Sequence, residues 1–153
     1  GVYRPDGTIS PGAGLAFVGA GVVNATGQGQ TLTAELRRGE AVRMLVRVHN
    51  RSAISDTLLL TATHRNPNVG IHYVIDGVDI TDPISGTRSL RRAYILYAVD
   101  LGPHERVEIM VKINASPDAS IGAATTVSVR AASGGNARKL DVVAASVTVV
   151  GKR

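Results

Sequence analysis

The chain has 153 residues, a length that suits one domain with one hydrophobic core. Hydrophobic residues make up 44% of it and aromatic residues only 3%, which excludes a disordered chain and favours a core of β-branched side chains. The net charge of +5 allows acidic partners, and the lack of cysteine excludes disulfides and thiolate chemistry. No run of 18 apolar residues occurs, so the sequence predicts no transmembrane span.

Residues 1–29 differ from the rest of the chain. They are rich in glycine, alanine and proline, and glycines interrupt their two short apolar groups. We therefore predict that residues 1–29 form an N-terminal extension without a regular strand or a core position of its own, and that residues 30–153 form the folded domain. The apolar residues of this extension are the candidate interface: Leu15, Ala16, Phe17, Val18, Val22 and Val23.

From residue 30 onward the hydrophobic pattern alternates with a period of two. In Val42–His49 the apolar residues fall mainly on one face of a strand, whereas Arg43, Arg47 and His49 fall on the other face. Glu105–Ile113 alternates in the same way, with valine and isoleucine on one face and mostly charged residues on the other. This alternation is typical of antiparallel strands with one buried face.

Turn signals separate these segments, and Asp76-Gly77 is the strongest hairpin signal among them. No segment keeps an apolar period of 3.6 residues, so the pattern predicts an all-β sandwich of about seven to nine short strands. The strands are expected at Gln30–Leu36, Val42–His49, Ile54–Thr63, Gly70–Ile75, Ala93–Val99, Glu105–Ile113, Thr125–Ala131 and Leu140–Val150.

Two motifs resemble a known family. Val42–Asn50 (VRMLVRVHN), continued by Asp56–Leu58, is similar to the strand, asparagine turn and strand of bacterial and archaeal cell-surface immunoglobulin-like modules. These modules include the cell-adhesion-related domains of bacteria. Leu101–His104 followed by Val107–Ile113 resembles their L-x-P-G turn, with His104 in place of the usual glycine.

Two further stretches, Phe17–Gln30 and Tyr73–Thr81, resemble segments of secreted repeat proteins. The resemblance implies an antiparallel immunoglobulin-like β-sandwich that serves as a module of surface proteins, fibres or adhesins. Since such folds host many functions, the implied role is an analogy. The chain begins with Gly1, which indicates either a removed leader or a fragment, and we expect an extracellular location at the cell surface.

The sequence contains no recognised catalytic motif. A nucleophile elbow, a P-loop and a dinucleotide fingerprint are all absent, and His49, His64, His72 and His104 lack metal-ligand spacing. Tyrosines three apart on the predicted strand Ala93–Val99 face opposite ways, which counts against a sugar-stacking platform. We therefore expect no enzymatic activity and no cofactor.

Asp76, Asp79 and Asp82 have a D-x-x-D-x-x-D spacing. Three carboxylates on one loop could offer oxygen ligands to calcium. The alternative is that Asp76 serves the Asp-Gly turn and that Asp82 precedes Pro83 in a loop. The sequence leaves both interpretations open.

Asn24, Asn50 and Asn114 each begin an N-x-[ST] sequon at a predicted turn or strand end. They are candidate glycosylation sites. The alternative is that asparagine, serine and threonine are common at turns for their own backbone hydrogen bonds.

The preferred hypothesis is a subunit of a surface fibre or pilus-like filament, in which the N-terminal segment adds as a strand to another copy. The segment could instead return to its own sandwich as an extra edge strand. Other hypotheses are an adhesin repeat, a module that binds anionic polysaccharide or cell wall through basic residues, and an accessory domain of a secreted enzyme. The charges look scattered along the sequence, so no nucleic-acid partner is expected.

Overall fold

The computed structural model describes residues 2–12, 14–85 and 97–151. Two five-stranded sheets make up the fold, which confirms the predicted all-β immunoglobulin-like sandwich. The elements are β1 (Pro5–Ser10), β2 (Thr31–Arg37), β3 (Ala41–Asn50), β4 (Asp56–Ala62), β5 (Val69–Ile75), β6 (Val78–Asp79), α1 (Thr81–Ser85), β7 (Tyr97–Leu101), β8 (Arg106–Ala115), β9 (Ala124–Ser133) and β10 (Leu140–Val150).

The strand order is β1-β3-β8-β5-β6 in one sheet, called sheet A, and β2-β10-β9-β4-β7 in the other, called sheet B. The described strand pairs are antiparallel apart from β2 and β10, which run parallel from the Thr31–Ala144 pair to the Arg37–Val150 pair. Among the described helices none is long and apolar enough to cross a membrane.

The core lies between the sheets and follows the alternation seen in the sequence. Met44, Val46 and Val48 of β3 are buried, and the side chains between them face outward. Leu58 and Leu60 of β4 complete the opposite wall with no exposed surface. Burial of each such aliphatic side chain contributes about 1.5–3 kcal/mol, so the period-two pattern is what stabilises the sandwich.

The N-terminal segment is more integrated than the sequence predicts. Pro5–Ser10 forms β1, which is buried at all six positions and pairs with β3. The expectation that residues 1–29 have no regular strand and no core position is therefore wrong for Pro5–Ser10. Residues 11–30 then connect β1 to β2, with one bridge from Ile9 to Val18.

Two turn positions adopt the left-handed backbone conformation with residues other than glycine. Asp76 has φ 50 and is followed by Gly77 with φ 78, which gives the predicted hairpin between β5 and β6. His104 has φ 62, so it adopts the left-handed conformation that favours glycine, the usual residue at this position of the L-x-P-G turn that the segment resembles. The predicted strand Ala93–Val99 is described only from Tyr97 onward, and the Arg91–Arg92 doublet also lies outside the described residues.

We expect His104→Gly to raise the free energy of unfolding by about 0.5–1 kcal/mol. Loss of the Cβ atom relieves about 1–2 kcal/mol of left-handed strain, and the larger entropy of unfolded glycine offsets part of the gain. Urea denaturation would measure the difference. The control, Gly77→Ala at φ 78, should lower stability by about 1 kcal/mol. A His104→Gly variant less stable than wild type would contradict the strain argument.

Candidate functional site

The candidate site is the edge of sheet A where β1 lies. β1 is in register with β3 from Pro5 opposite Asn50 to Ser10 opposite Leu45. Although three of its residues are polar, all six are buried, because β1 also packs against β10 of the other sheet. Buried polar groups need hydrogen-bond partners, so the chain must supply them at this edge.

Asp141 of β10 joins β1 to the opposite sheet through its carboxylate. Its Oδ2 atom accepts a hydrogen bond of 2.7 Å from the backbone N–H of Gly7 in β1. Its Oδ1 atom accepts bonds from the Asn24 backbone N–H at 3.1 Å and the Gln30 side-chain amide at 2.5 Å. This carboxylate is 1% exposed and joins β1, the connection from residue 11 to residue 30, and β10. The N–H of the adjacent Val142 also donates to Oδ1, at 3.0 Å. We call Asp141 with its donors Gly7, Asn24 and Gln30 the anchor.

Burial raises the pKa of Asp141 above its ordinary value. The N–H donors of Gly7, Asn24 and Gln30 act in the opposite direction, and the negative charge of Asp6 adds a further upward contribution. The loss of hydration outweighs the hydrogen bonds, so the folded chain holds this proton more tightly than the unfolded chain does.

Asp6 makes a second set of hydrogen bonds at the same edge. Its Oδ2 atom accepts a hydrogen bond from the Arg51 guanidinium at 2.5 Å and one from the Gly21 backbone N–H at 3.0 Å. Its Oδ1 atom is buried and has no hydrogen-bond partner within the described residues. The Arg51 backbone N–H also donates to the carbonyl of Arg4, at 2.9 Å. These contacts fix the beginning of β1 on its own domain.

The six residues of the predicted interface separate into two groups. Val18 exchanges two backbone hydrogen bonds with Ile9 and packs against the core, and Phe17 lies 4.0 Å beneath the Arg47 guanidinium. The remaining four are exposed to solvent: Leu15, Ala16, Val22 and Val23. In this conformation the segment therefore returns to its own sandwich and leaves four apolar residues on the surface.

The sequons serve as turn and strand residues. Asn50 is 1% exposed, and its side-chain nitrogen donates to the carbonyls of Ile54, Leu101 and Gly102. This nitrogen is the atom that a glycan would occupy, so the folded domain offers no access there. Asn24 uses its side-chain oxygen to accept the Gly27 N–H at 2.7 Å, and Asn114 is a half-buried residue of β8.

The three aspartates of the predicted calcium site have different structural roles. Asp76 occupies the hairpin turn, and Asp79 accepts the Thr81 N–H and lies 3.3 Å from the His72 ring. Asp82 belongs to α1. In residues 2–12, 14–85 and 97–151, no group of three or more histidine or acidic side chains is placed to hold a metal ion.

The outward side of sheet A gathers cationic residues that look scattered in the sequence. The register pairs Arg43 with Lys112, while Arg47 forms an ion pair of 2.9 Å with Glu108. Burial, together with the nearby Arg51 charge, lowers the pKa of His49, so its ring is neutral at neutral pH. We call this surface the basic face, and its cations are Arg43, Arg47, Arg106 and Lys112.

Sequence reasoning missed the anchor. Asp141 stands at the beginning of the apolar run Leu140–Val150, and a lone carboxylate inside an apolar strand is a signal that could have identified it. Its partner Gly7 is 134 residues away, a separation that no local pattern can bridge.

Comparisons with known proteins identify the fold. No protein-family model and no curated protein matches the chain. The N-terminal domain of PorA is similar, with a TM-score of 0.50 and 12% identity over 94% of this chain and 96% of that one. A family 123 glycoside hydrolase from Clostridium perfringens, described in terms of glycolipid glycan hydrolysis, has a TM-score of 0.51 and 9% identity over 80% of this chain.

This chain spans only 23% of the glycoside hydrolase. The major pilin subunit of Bacillus cereus is also similar, with a TM-score of 0.47 and 8% identity over 98% of this chain and 40% of the pilin. At such low identities the likeness concerns the β-sandwich fold alone.

We expect the stability advantage of wild type over Asp141→Asn to shrink as the pH rises from about 3.5 to about 7. Because the folded-state pKa of Asp141 is raised, the stability linked to its proton is fully present below the ordinary carboxyl pKa and is lost as the pH passes through the raised value. Urea denaturation of both proteins over this pH range would measure the difference. A constant difference would show that the N–H donors balance burial, and a difference that grows with pH would show that they outweigh it.

Proposed function

We propose that the chain is a non-catalytic extracellular structural protein that assembles with further copies of itself by exchanging β1. In the assembly, Pro5–Ser10 of one copy occupies the place beside β3 of the next copy. A contact of this head-to-tail kind that does not close into a ring produces a filament. The resemblance in Val42–Asn50 and Leu101–His104 to surface modules supports the extracellular location.

The observation that carries the proposal is the position of β1. It is an edge strand, so one neighbouring strand, β3, forms its ladder. The segment that follows β1 covers its outer side, through the Ile9–Val18 bridge and the hydrogen bond from the Gly21 N–H to Asp6. The six residues of β1 are nonetheless buried like a central strand. An element that pairs at a sheet edge through backbone hydrogen bonds can be replaced by the same element of another copy.

The connection between β1 and β2 permits such an exchange. Residues 11–30 contain no named strand in their described part, and several of their glycines adopt positive φ. A stretch of 20 residues can extend to about 65 Å, far enough to reach a neighbouring domain. The exchange needs a change of conformation in this connection alone, because the rest of each sandwich keeps its strand pairs.

The contact between Asp141 and Gly7 would form equally well between two copies. Asp141 recognises β1 through the backbone N–H of Gly7, and the ladder to β3 consists of backbone hydrogen bonds. Closed monomer and exchanged assembly therefore share nearly the same contacts, and protein concentration shifts the balance between them. The exposed Leu15, Val22 and Val23 would lie on the connection between adjacent subunits.

A cysteine pair, Thr8→Cys with Arg47→Cys, tests the exchange, because these positions are opposite each other on β1 and β3 and the chain has no other cysteine. We expect protein oxidised while dilute to stay monomeric on concentration. Protein concentrated in reductant and then oxidised should give a ladder of covalent multimers. Size-exclusion light scattering, negative-stain microscopy and non-reducing gels would measure the two outcomes.

The matched control is Thr61→Cys with Arg130→Cys, which joins β4 to β9 and leaves β1 free. This pair should assemble after oxidation in either order and form only bonds within one chain. The proposal fails if the wild-type protein stays monomeric at high concentration. It also fails if the assembled variant with cysteines on β1 and β3 gives no intermolecular bonds.

The basic face favours a second function, the binding of an anionic polysaccharide or cell-wall polymer. Its four cations lie on one flat side of sheet A, and Glu108 is the single acidic residue among the outward positions of β3 and β8. A polyanion would be attracted to such a surface in a manner that depends on ionic strength.

We expect the charge reversal Arg43→Glu with Lys112→Glu to weaken binding to heparin or teichoic acid at least tenfold, because these two residues are paired on the basic face. The control, Arg130→Glu with Arg138→Glu, has the same net charge but alters sheet B and an exposed turn. Affinity chromatography with a salt gradient would measure both. Equal losses in the two variants would indicate attraction to net charge and no specific surface.

A further inference from the structure

A concave surface lies at the end of the sandwich where β7 ends and β4 begins. Its cavity has a volume of about 440 Å³. The walls include Tyr3, Asp56, Thr57, Asp100, Leu101 and Gly135. None of the described lining residues is lysine, arginine or histidine, so two carboxylates face this space without a cation among the walls.

Asp56 is the first of these carboxylates and is 8% exposed. Its Oδ1 atom accepts a hydrogen bond of 3.2 Å from the Gly135 backbone N–H. Its Oδ2 atom is buried and has no hydrogen-bond partner in the described part of the chain. A buried carboxylate oxygen without a donor is costly, so a rotation of the Asp56 side chain that brought this oxygen to the donor of a ligand would be favourable.

Asp100 is the second carboxylate. It lies opposite Thr57 in the ladder between β4 and β7 and accepts the Thr57 hydroxyl at 2.5 Å. Unlike Asp56, it is exposed. A cation that enters from solvent would therefore meet Asp100 at the rim before it reaches Asp56.

The walls also include an aromatic ring and an aliphatic side chain. Tyr3 packs directly on Gly135, so closely that a Cβ atom at this glycine would overlap the ring. Leu101 is 7% exposed and also lines the cavity. A ring face attracts cations, and an apolar wall accepts methylene groups.

We propose that this cavity binds a primary ammonium group on an alkyl stem, with Asp56 as its main hydrogen-bond acceptor. A bare metal ion suits the site poorly, because the described residues place no third carboxylate or histidine there and the cavity is far larger than an ion. The ammonium offers three donors for Asp56 and its neighbours, and the stem fits against Tyr3 and Leu101. The two carboxylates of the proposed site stay in place if β1 is exchanged, because Asp56 and Asp100 lie outside β1. Tyr3 directly precedes β1, so in an exchanged assembly this wall would come from the neighbouring copy.

Titration of the full chain with n-pentylammonium, followed by amide NMR, tests the proposal. We expect saturable shifts at Thr57, Gly134 and Gly135, and no comparable shifts with pentan-1-ol, which has a similar stem without the charge. The ammonium group could belong to a lysine side chain or to a free alkylamine, and a parallel titration with Nα-acetyl-lysine methylamide distinguishes these two sources. Tighter binding of this compound would identify a lysine side chain, and tighter binding of pentylammonium would identify a free amine.

The variant Asp56→Asn should weaken amine binding about tenfold or more, the loss expected for a hydrogen bond between charged groups. Asp100→Asn should weaken it less, and because Asp100 is exposed this variant keeps the test valid if Asp56→Asn folds poorly. Glu35→Gln, an exposed position on β2, is the control and should bind like wild type. Binding of pentan-1-ol as tight as that of the amine, an unchanged affinity in both aspartate variants, or no saturable shift would each overturn the proposal.

Discussion

The position of the N-terminal segment depends on one buried carboxylate. Asp141 lies on β10 with 1% exposure, in a place where water cannot satisfy its oxygens. A charge in that environment requires donors, and the chain provides them from Gly7, Asn24 and Gln30. The N-terminal residues therefore follow the path that places these three N–H groups within hydrogen-bond distance of the Asp141 carboxylate.

The same anchor is compatible with the proposed exchange of β1 between copies. Asp141 and the β3 edge recognise backbone groups, which every copy of the chain presents in the same arrangement. Gly7 is suited to this role, since a Cβ atom there would approach Val143 to 3.0 Å. The identity of the anchor residues thus favours this one strand over an arbitrary peptide, and a second copy carries the same strand.

The sequence predicts the strands of the domain well where burial on one face is the main constraint. β10 covers Leu140–Val150, the range expected from its apolar run, and β3 and β8 differ from their predictions by one or two residues at each end. β1 could not be predicted in this way. Its sequence, PDGTIS, has proline and glycine and no apolar alternation, and its contacts are with residues distant in the chain.

Local sequence patterns also failed to predict the roles of the candidate site residues. The sequon at Asn50 matches a glycosylation pattern, yet its amide is buried and holds three carbonyls together. The basic face could not be read from the sequence either, because Arg43 and Lys112 become neighbours only through the register of β3 and β8. The alternation of a strand specifies which side chains face outward, and the register between strands specifies which of those side chains become neighbours.

The edges of the sheets give a further reason why assembly would use β1. Free edge strands invite pairing with another chain unless they are short, charged or covered. β6 has two residues, β2 carries Glu35 and Arg37, and β7 has five residues with an exposed Asp100, so each of these edges is short or charged. At the β1 edge the protection comes from the connecting segment, through the Ile9–Val18 bridge. Movement of that segment would therefore release β1 and expose the edge of β3 together, which supplies a donor strand and an acceptor edge in the same step.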